Sequence, residues 1–177
     1  MLVILQQIME AELMYRGLAH RVKLLTGIIS LLFLLFFEGI TATSAEDIQF
    51  VELVITNPQG QQYHYSAELA HTADLRRIGL MNRQAFEAEQ AMLFIWPETA
   101  RRLFWMKNTL LPLDILFFSE SGELFHLVHM AEPFSETLHS SIDPTAAVIE
   151  LKGGEAKRLK IDIGSELTFK TVLPDAQ

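Results

Sequence analysis

Phe104 to Phe118, FWMKNTLLPLDILFF, constrains this chain more than any other stretch. Two apolar runs are joined by Lys107-Asn108-Thr109 and Pro112, and a lone carboxylate, Asp114, sits inside the second run. Leaving a neutral polar group buried and unpaired costs roughly 2–7 kcal/mol, and a charge costs more. A fold built on this stretch must therefore find partners for Lys107, Asn108 and Asp114, from its own chain or from a ligand. In a strand beginning at Leu113, Asp114 shares a face with Leu116 and Phe118. The nearest groups able to satisfy it are turn backbone amides and the Asn108 and Thr109 side chains, which would pin the 108–112 connection. The alternative arrangement makes Lys107, Asn108 and Asp114, with Arg83 and Trp105, a recognition surface at one end of the domain.

The amino-terminal part has a different character. Leu24 to Ile40, LLTGIISLLFLLFFEGI, follows Arg16, Arg21 and Lys23 and precedes the small residues Thr43 and Ala45. That layout is expected of a secretory signal cleaved after Ala45, with Met14 as an alternative start. The competing expectation is an uncleaved membrane anchor over residues 24–40, near the lower length limit for spanning about 30 Å of hydrocarbon. Either one puts residues 46–172, a single folded domain with a 173–177 tail, outside the cytoplasm, periplasmic or extracellular. From Glu46 onward there are 11 Lys+Arg against 19 Asp+Glu, which carries the whole net charge of −8 and speaks against a nucleic-acid partner. The chain has no cysteine, so disulfides, thiol catalysis and thiolate metal sites are excluded.

Beyond the leader the hydrophobic period becomes two. Val51, Leu53 and Ile55 alternate with polar residues, Asn57-Pro58-Gln59-Gly60 turns the chain, and Tyr63, Tyr65, Ala67 and Leu69 alternate again, which predicts a hairpin. Thr72 as N-cap and Gly79 as terminator predict a short helix over 73–80. Strands follow at 91–96, 103–107, 113–118, 123–129, 146–151 and 167–172, with a helical turn at 154–160. Short strands at near-regular spacing predict a mainly β domain, a compact antiparallel sandwich or barrel with one or two short helices, rather than βαβ units.

Laid out in this way, the chain resembles the family known as domain of unknown function 192, also called uncharacterised protein family 0127. The resemblance rests on GLMNR (79–83), AMLF (91–94), FWMKNTLLPLDILFF (104–118) and a closing VIEL…GG…IDIG block (148–164). It implies an often exported or membrane-tethered β domain with a little helix, and it brings no activity and no site residues. Ala91, Lys160 and Ser165 depart from the family's usual Gly, Gly and Asp.

Among candidate constellations, Trp96 and Trp105 with Phe104 and Met106 have the composition of a ligand groove, although such residues more often build core. Met81, Met92 and Met106 read as gap-fillers rather than a soft-metal cluster. The histidines from His64 onward lack chelating spacing, and no nucleophile or phosphate-loop motif is present, so no cofactor or metal is expected. The carboxylates Glu132, Glu136, Asp143 and Glu150 read as solvated loop acids. The expectation is an exported, non-catalytic β domain binding a small molecule, a glycan or a protein partner of the cell envelope. Membrane contact would come only through the N-terminal segment. The alternatives are an envelope hydrolase or lyase using Asp114 and Lys107, and a purely structural or chaperone-like domain.

Overall fold

The computed structural model describes residues 48–170, 173 and 175–177. The expected leader, residues 1–45, and the expected strand end at 171–172 lie outside the described residues. No helix among the described residues is long and apolar enough to cross a membrane.

Seven strands form one curled sheet, a half-barrel. β1 (Phe50–Thr56) and β2 (Gln62–Ala70) make the predicted hairpin, in register from Phe50 opposite Glu68 to Thr56 opposite Gln62. Its turn is held by Asn57, whose Oδ1 accepts from the Gln59 and Gln61 N–H groups at 3.0 Å each, an Asx arrangement. Helix α1 (Ala73–Ile78) follows, its Thr72 cap accepting from the Leu75 N–H at 3.3 Å and Gly79 ending it at φ +49°. β3 (Gln90–Ala100) then pairs with β2 in parallel, from Ser66 opposite Gln90 to Ala70 opposite Phe94. A parallel pair needs a crossover, and α1 lies in it. The sheet is therefore not purely antiparallel, and one β–α–β unit stands where none was expected.

β4 (Leu103–Phe104) leaves the sheet, and β5 (Leu113–Phe118) and β6 (Leu124–Ala131) form a second hairpin at its edge. The strand predicted over 103–107 shortens to two residues because the chain turns at Lys107-Asn108, where Asn108 has φ +56°. β7 (His139–Ser140) pairs with β4 in a separate two-stranded ribbon, and β8 (Thr145–Lys152) returns between β3 and β5. Helix α2 (Glu155–Leu159) and β9 (Glu166–Phe169) complete the order β6-β5-β8-β3-β2-β1-β9. The two outermost strands meet at a bridge between Glu123 and Glu166, with the Leu124 N–H donating to Ser165 O (2.7 Å) and the Leu167 N–H to Gly122 O (2.8 Å).

Alternation along the strands builds two apolar layers. On one face Leu53, Ile55, Leu93, Leu116, Phe118 and Ile149 pack with Ala156, Ile161 and Leu167. On the other, Met92, Phe94, Ile115, Phe117 and Val148 pack with Leu80, Phe86 and Met106. Strands β5 and β8 are covered on both sides, so β5 is buried at every position. Glu150 stands opposite Met92 on one neighbour and Ile115 on the other, which places it in the second, apolar layer.

Candidate functional site: an arginine-rimmed aromatic pocket

The second layer opens to solvent between α1 and the chain leading into β4. The opening has a volume of about 470 Å³ and is lined by Ala73 and residues 76–81 on one side, 101–105 on the other, and Phe94, Trp96, Thr109 and Glu150. Its aromatic wall is interlocked. The Phe94 and Phe104 rings meet edge-on at 5.1 Å, and Trp96 meets Phe104 edge-on at 6.3 Å. Such pairs hold one another in place as well as burying area.

Four arginines surround this wall, and they are not equivalent. Arg76 is fixed: its guanidinium donates to His71 O (2.7 Å), Ile95 O (2.8 Å) and Gln177 O (2.7 Å), and lies 5.6 Å from the Trp96 ring centre. Arg102 stacks more closely on Trp96, at 4.3 Å, and donates through Nη2 to Glu98 O. Its Nε is buried and has no partner among the described residues. Burial and the adjacent Arg76 charge pull Arg102 down from its usual pKa, yet a guanidinium stays cationic in proteins. Arg77 is exposed and paired with Asp74 at 3.1 Å, and Arg101 is exposed.

Glu150 carries the strongest signal. Its carboxyl is buried among apolar side chains, Oε2 has no hydrogen-bond partner among the described residues, and burial pushes its pKa from 4.5 up to about 8. Burial thus favours the neutral acid, whose O–H can donate into the pocket that Glu150 helps to line. Flat apolar surface, cationic edges and one buried donor together suit a small ligand with a planar body and an anionic group.

Of the residues singled out in the sequence, Trp105 lines this pocket and is 42% exposed. Lys107 lies 5.0 Å from the Trp105 ring centre and 3.8 Å from a Glu136 carboxylate oxygen, at the surface. Asn108 is exposed, and its carbonyl accepts from the Asn82 N–H at 2.8 Å. Arg83 makes a two-point ion pair with Glu68. Asp114 is fully buried, and its oxygens accept from the Met130 N–H (2.8 Å) and the Ala156 N–H (2.9 Å). Lys107, Asn108 and Asp114 therefore do not form one cluster. Asp114 is satisfied by distant backbone: the bulged end of β6, where Met130 has φ +49°, and the first turn of α2. The 108–112 connection is held instead by backbone bonds, Thr109 N–H to Met106 O (3.0 Å), Phe134 N–H to Thr109 O (3.0 Å) and Gly153 N–H to Pro112 O (2.8 Å).

Sequence reasoning missed Glu150, Arg76 and Arg102 as parts of a site. The available signal was a glutamate inside AAVIELK, a strand apolar on both faces, where solvation is impossible. A larger cavity of about 670 Å³ lies against Ile95, Ala147 and Leu167, partly walled by Leu173, Asp175 and Ala176. It contains no buried titratable group, so its size does not make it the chemically defined site. Among the described residues no group of three or more His, Asp or Glu side chains is placed to hold a metal.

Comparison with known proteins adds the following. Residues 54–169 match the model of a family described as DUF192, an uncharacterised ACR. No curated protein matches the chain. A crystal structure of a Sinorhizobium meliloti 1021 protein, provisionally named a transcription regulator, is 33% identical at a TM-score of 0.67 and covers 69% of this chain and 95% of its own. A crystal structure of a Novosphingobium aromaticivorans DSM 12444 protein of unknown function is likewise 33% identical at a TM-score of 0.67, covering 71% of this chain and 89% of its own.

Proposed function

This chain belongs to the DUF192 family, and from that premise we propose that it is a non-catalytic binding domain of the cell envelope whose pocket takes a small, planar, anionic molecule. The observation that carries this reading is the buried Glu150 carboxyl, which lines an aromatic opening and whose Oε2 has no partner among the described residues. An unsatisfied buried acid costs about 1–3 kcal/mol. A ligand oxygen that accepts a hydrogen bond from its O–H removes that cost. Trp96, Trp105 and Phe104 offer faces for the planar body, and Arg102 has a free Nε–H for the anionic group. Exposure outside the cytoplasm rests on the basic flank and apolar run of residues 16–45.

A hydrolase or lyase built on Asp114 has no support in this geometry. Both Asp114 oxygens already accept backbone bonds away from water, and the Lys107 ammonium is beside Glu136. The Sinorhizobium relative is named a transcription regulator, whereas the net charge of −8 argues against a DNA-reading face here.

The test uses two planar carboxylates, benzoate and indole-3-acetate, titrated into isotope-labelled protein. Saturable NMR shifts are expected at the Trp96 and Trp105 indole N–H and the Arg102 Nε–H, weakened at least tenfold in Arg102→Ala. Benzamide, which is neutral, should bind more weakly than benzoate. Equal binding of the two, or no saturable shift, overturns the reading.

A further inference from the structure

The ribbon of β4 and β7 has an outer face that nothing in the described chain covers. Leu103 stands opposite Ser140 and Phe104 opposite His139. The register continues at one end, where the Ser141 N–H donates to Arg102 O at 2.9 Å. Alternation then sorts the side chains. Phe104 points inward and packs edge-on against Phe117 at 5.8 Å. Leu103, Trp105, Leu138 and Ile142 point outward and are 62, 42, 57 and 53% exposed. Phe134, 61% exposed, adjoins them on the loop tied to Thr109. Four large apolar side chains on one small ribbon, with a fifth on the loop before it, make a patch rather than the scattered exposure of an ordinary surface. The charges beside it are Arg101, Lys107 with its partner Glu136, and Asp143; on the outward positions of the ribbon itself Arg101 is the only charge.

The path of the chain narrows what can cover this face. The Leu69 N–H donates to Gln49 O at 2.9 Å, so the chain enters the domain at the end of the sheet where β2 finishes. β3 runs parallel to β2, passes that end and feeds the ribbon from Ala100, and β8 leaves it at Thr145. Entry point and ribbon therefore share one end of the sheet. Seven residues, eight Cα–Cα steps in all, separate Ile40, the last of the apolar run Leu24–Ile40, from Ile48. Fully extended they reach about 30 Å. If the run stays in a bilayer, this tether holds that end of the domain close to the lipid surface at a high effective concentration.

We infer that the outer face of the β4–β7 ribbon rests on a phospholipid bilayer, with Trp105 at headgroup depth and the retained 24–40 run as the second attachment. The composition fits an interfacial contact: a tryptophan and aliphatic side chains flanked by an arginine and a lysine. The retained run holds the chain on the membrane, and the ribbon contact then fixes which face of the domain meets the lipid. The contact also turns the mouth of the pocket, which Arg101, Leu103 and Trp105 help to line, toward the lipid.

The absence of cysteine permits a clean test on the full-length chain. Leu138→Cys and Gln59→Cys, both at exposed positions, are each labelled with a nitrobenzoxadiazole dye; Gln59 is in the β1–β2 turn at the opposite end of the sheet. The chains are reconstituted into phosphatidylcholine–phosphatidylglycerol vesicles. Bromination of the lipid acyl chains near the headgroup should quench the dye at position 138 about twofold and leave position 59 unchanged, as expected for an interfacial site. Equal response at the two positions overturns the inference, as does failure of the chain to stay on the vesicles. Protection of position 138 from aqueous iodide without quenching by brominated lipid also overturns it, and assigns the face to a protein, such as a second copy of the chain.

Discussion

Replacing Glu150 with Gln should flatten the dependence of folding stability on pH. The unfolded chain releases this proton near pH 4.5, whereas the folded chain keeps it until about pH 8, because ionisation would place a charge among Met92, Ile115 and their neighbours. Between those values the folded state holds more protons than the unfolded state. Stability therefore falls as pH rises through the window, the reverse of the behaviour of a salt-bridged carboxylate. At 1.36 kcal/mol per pH unit of differential binding, the loss from this one group between pH 5 and pH 7 is about 2–3 kcal/mol. Urea unfolding followed by tryptophan fluorescence at both pH values, for both proteins, isolates the effect as a double difference free of every other titrating group. Glutamine matches glutamic acid in size and keeps a donor at the same position. Parallel pH profiles for the two proteins would mean that Glu150 is ionised at pH 7 and already paired. The pocket would then hold a permanent negative charge and repel the anion assigned to it.

Asp114→Asn should destabilise the fold by about 2–4 kcal/mol, because its amide can accept from only one of the Met130 and Ala156 N–H groups; hydrogen exchange should show one of these two amides losing protection. Lys107→Ala should change stability by less than about 0.5 kcal/mol in a thermal melt, since its 3.8 Å pair with Glu136 is largely solvated. Gly122→Ala should cost roughly 1–3 kcal/mol, with an unfolding midpoint at lower urea. A Cβ there would lie 2.7 Å from Leu167 O at a φ of +83°.

How much of this was legible in the sequence differs by element. The β1–β2 hairpin was legible because an alternating pattern and a turn lie within one short stretch. β5 was legible as a strand with its ends correct, Leu113 and Phe118. The partners of Asp114 were not, since they come from positions 16 and 42 residues away and are backbone amides, which leave no residue signature. The parallel pairing of β2 with β3 was hidden for a related reason. A six-residue helix in the connection looks the same in sequence whether the next strand runs parallel or antiparallel. β7 has two residues and no periodicity to read. Trp105 was identified as a candidate and does line the pocket, but Glu150 was grouped with solvated acids because its strand was judged without the register that buries it.

The seam between Glu123 and Glu166 has a consequence for how this protein is made. β9 is the last of the described strands to leave the ribosome, and it serves two clients, the outer edge of β1 and the start of β6. Until it arrives, a nascent chain carries two unpaired β margins at once, each a template for a neighbouring nascent chain. Truncation before Glu166 would therefore do more than trim a terminus: it would leave a polypeptide with nearly all of its core residues and both of its borders sticky.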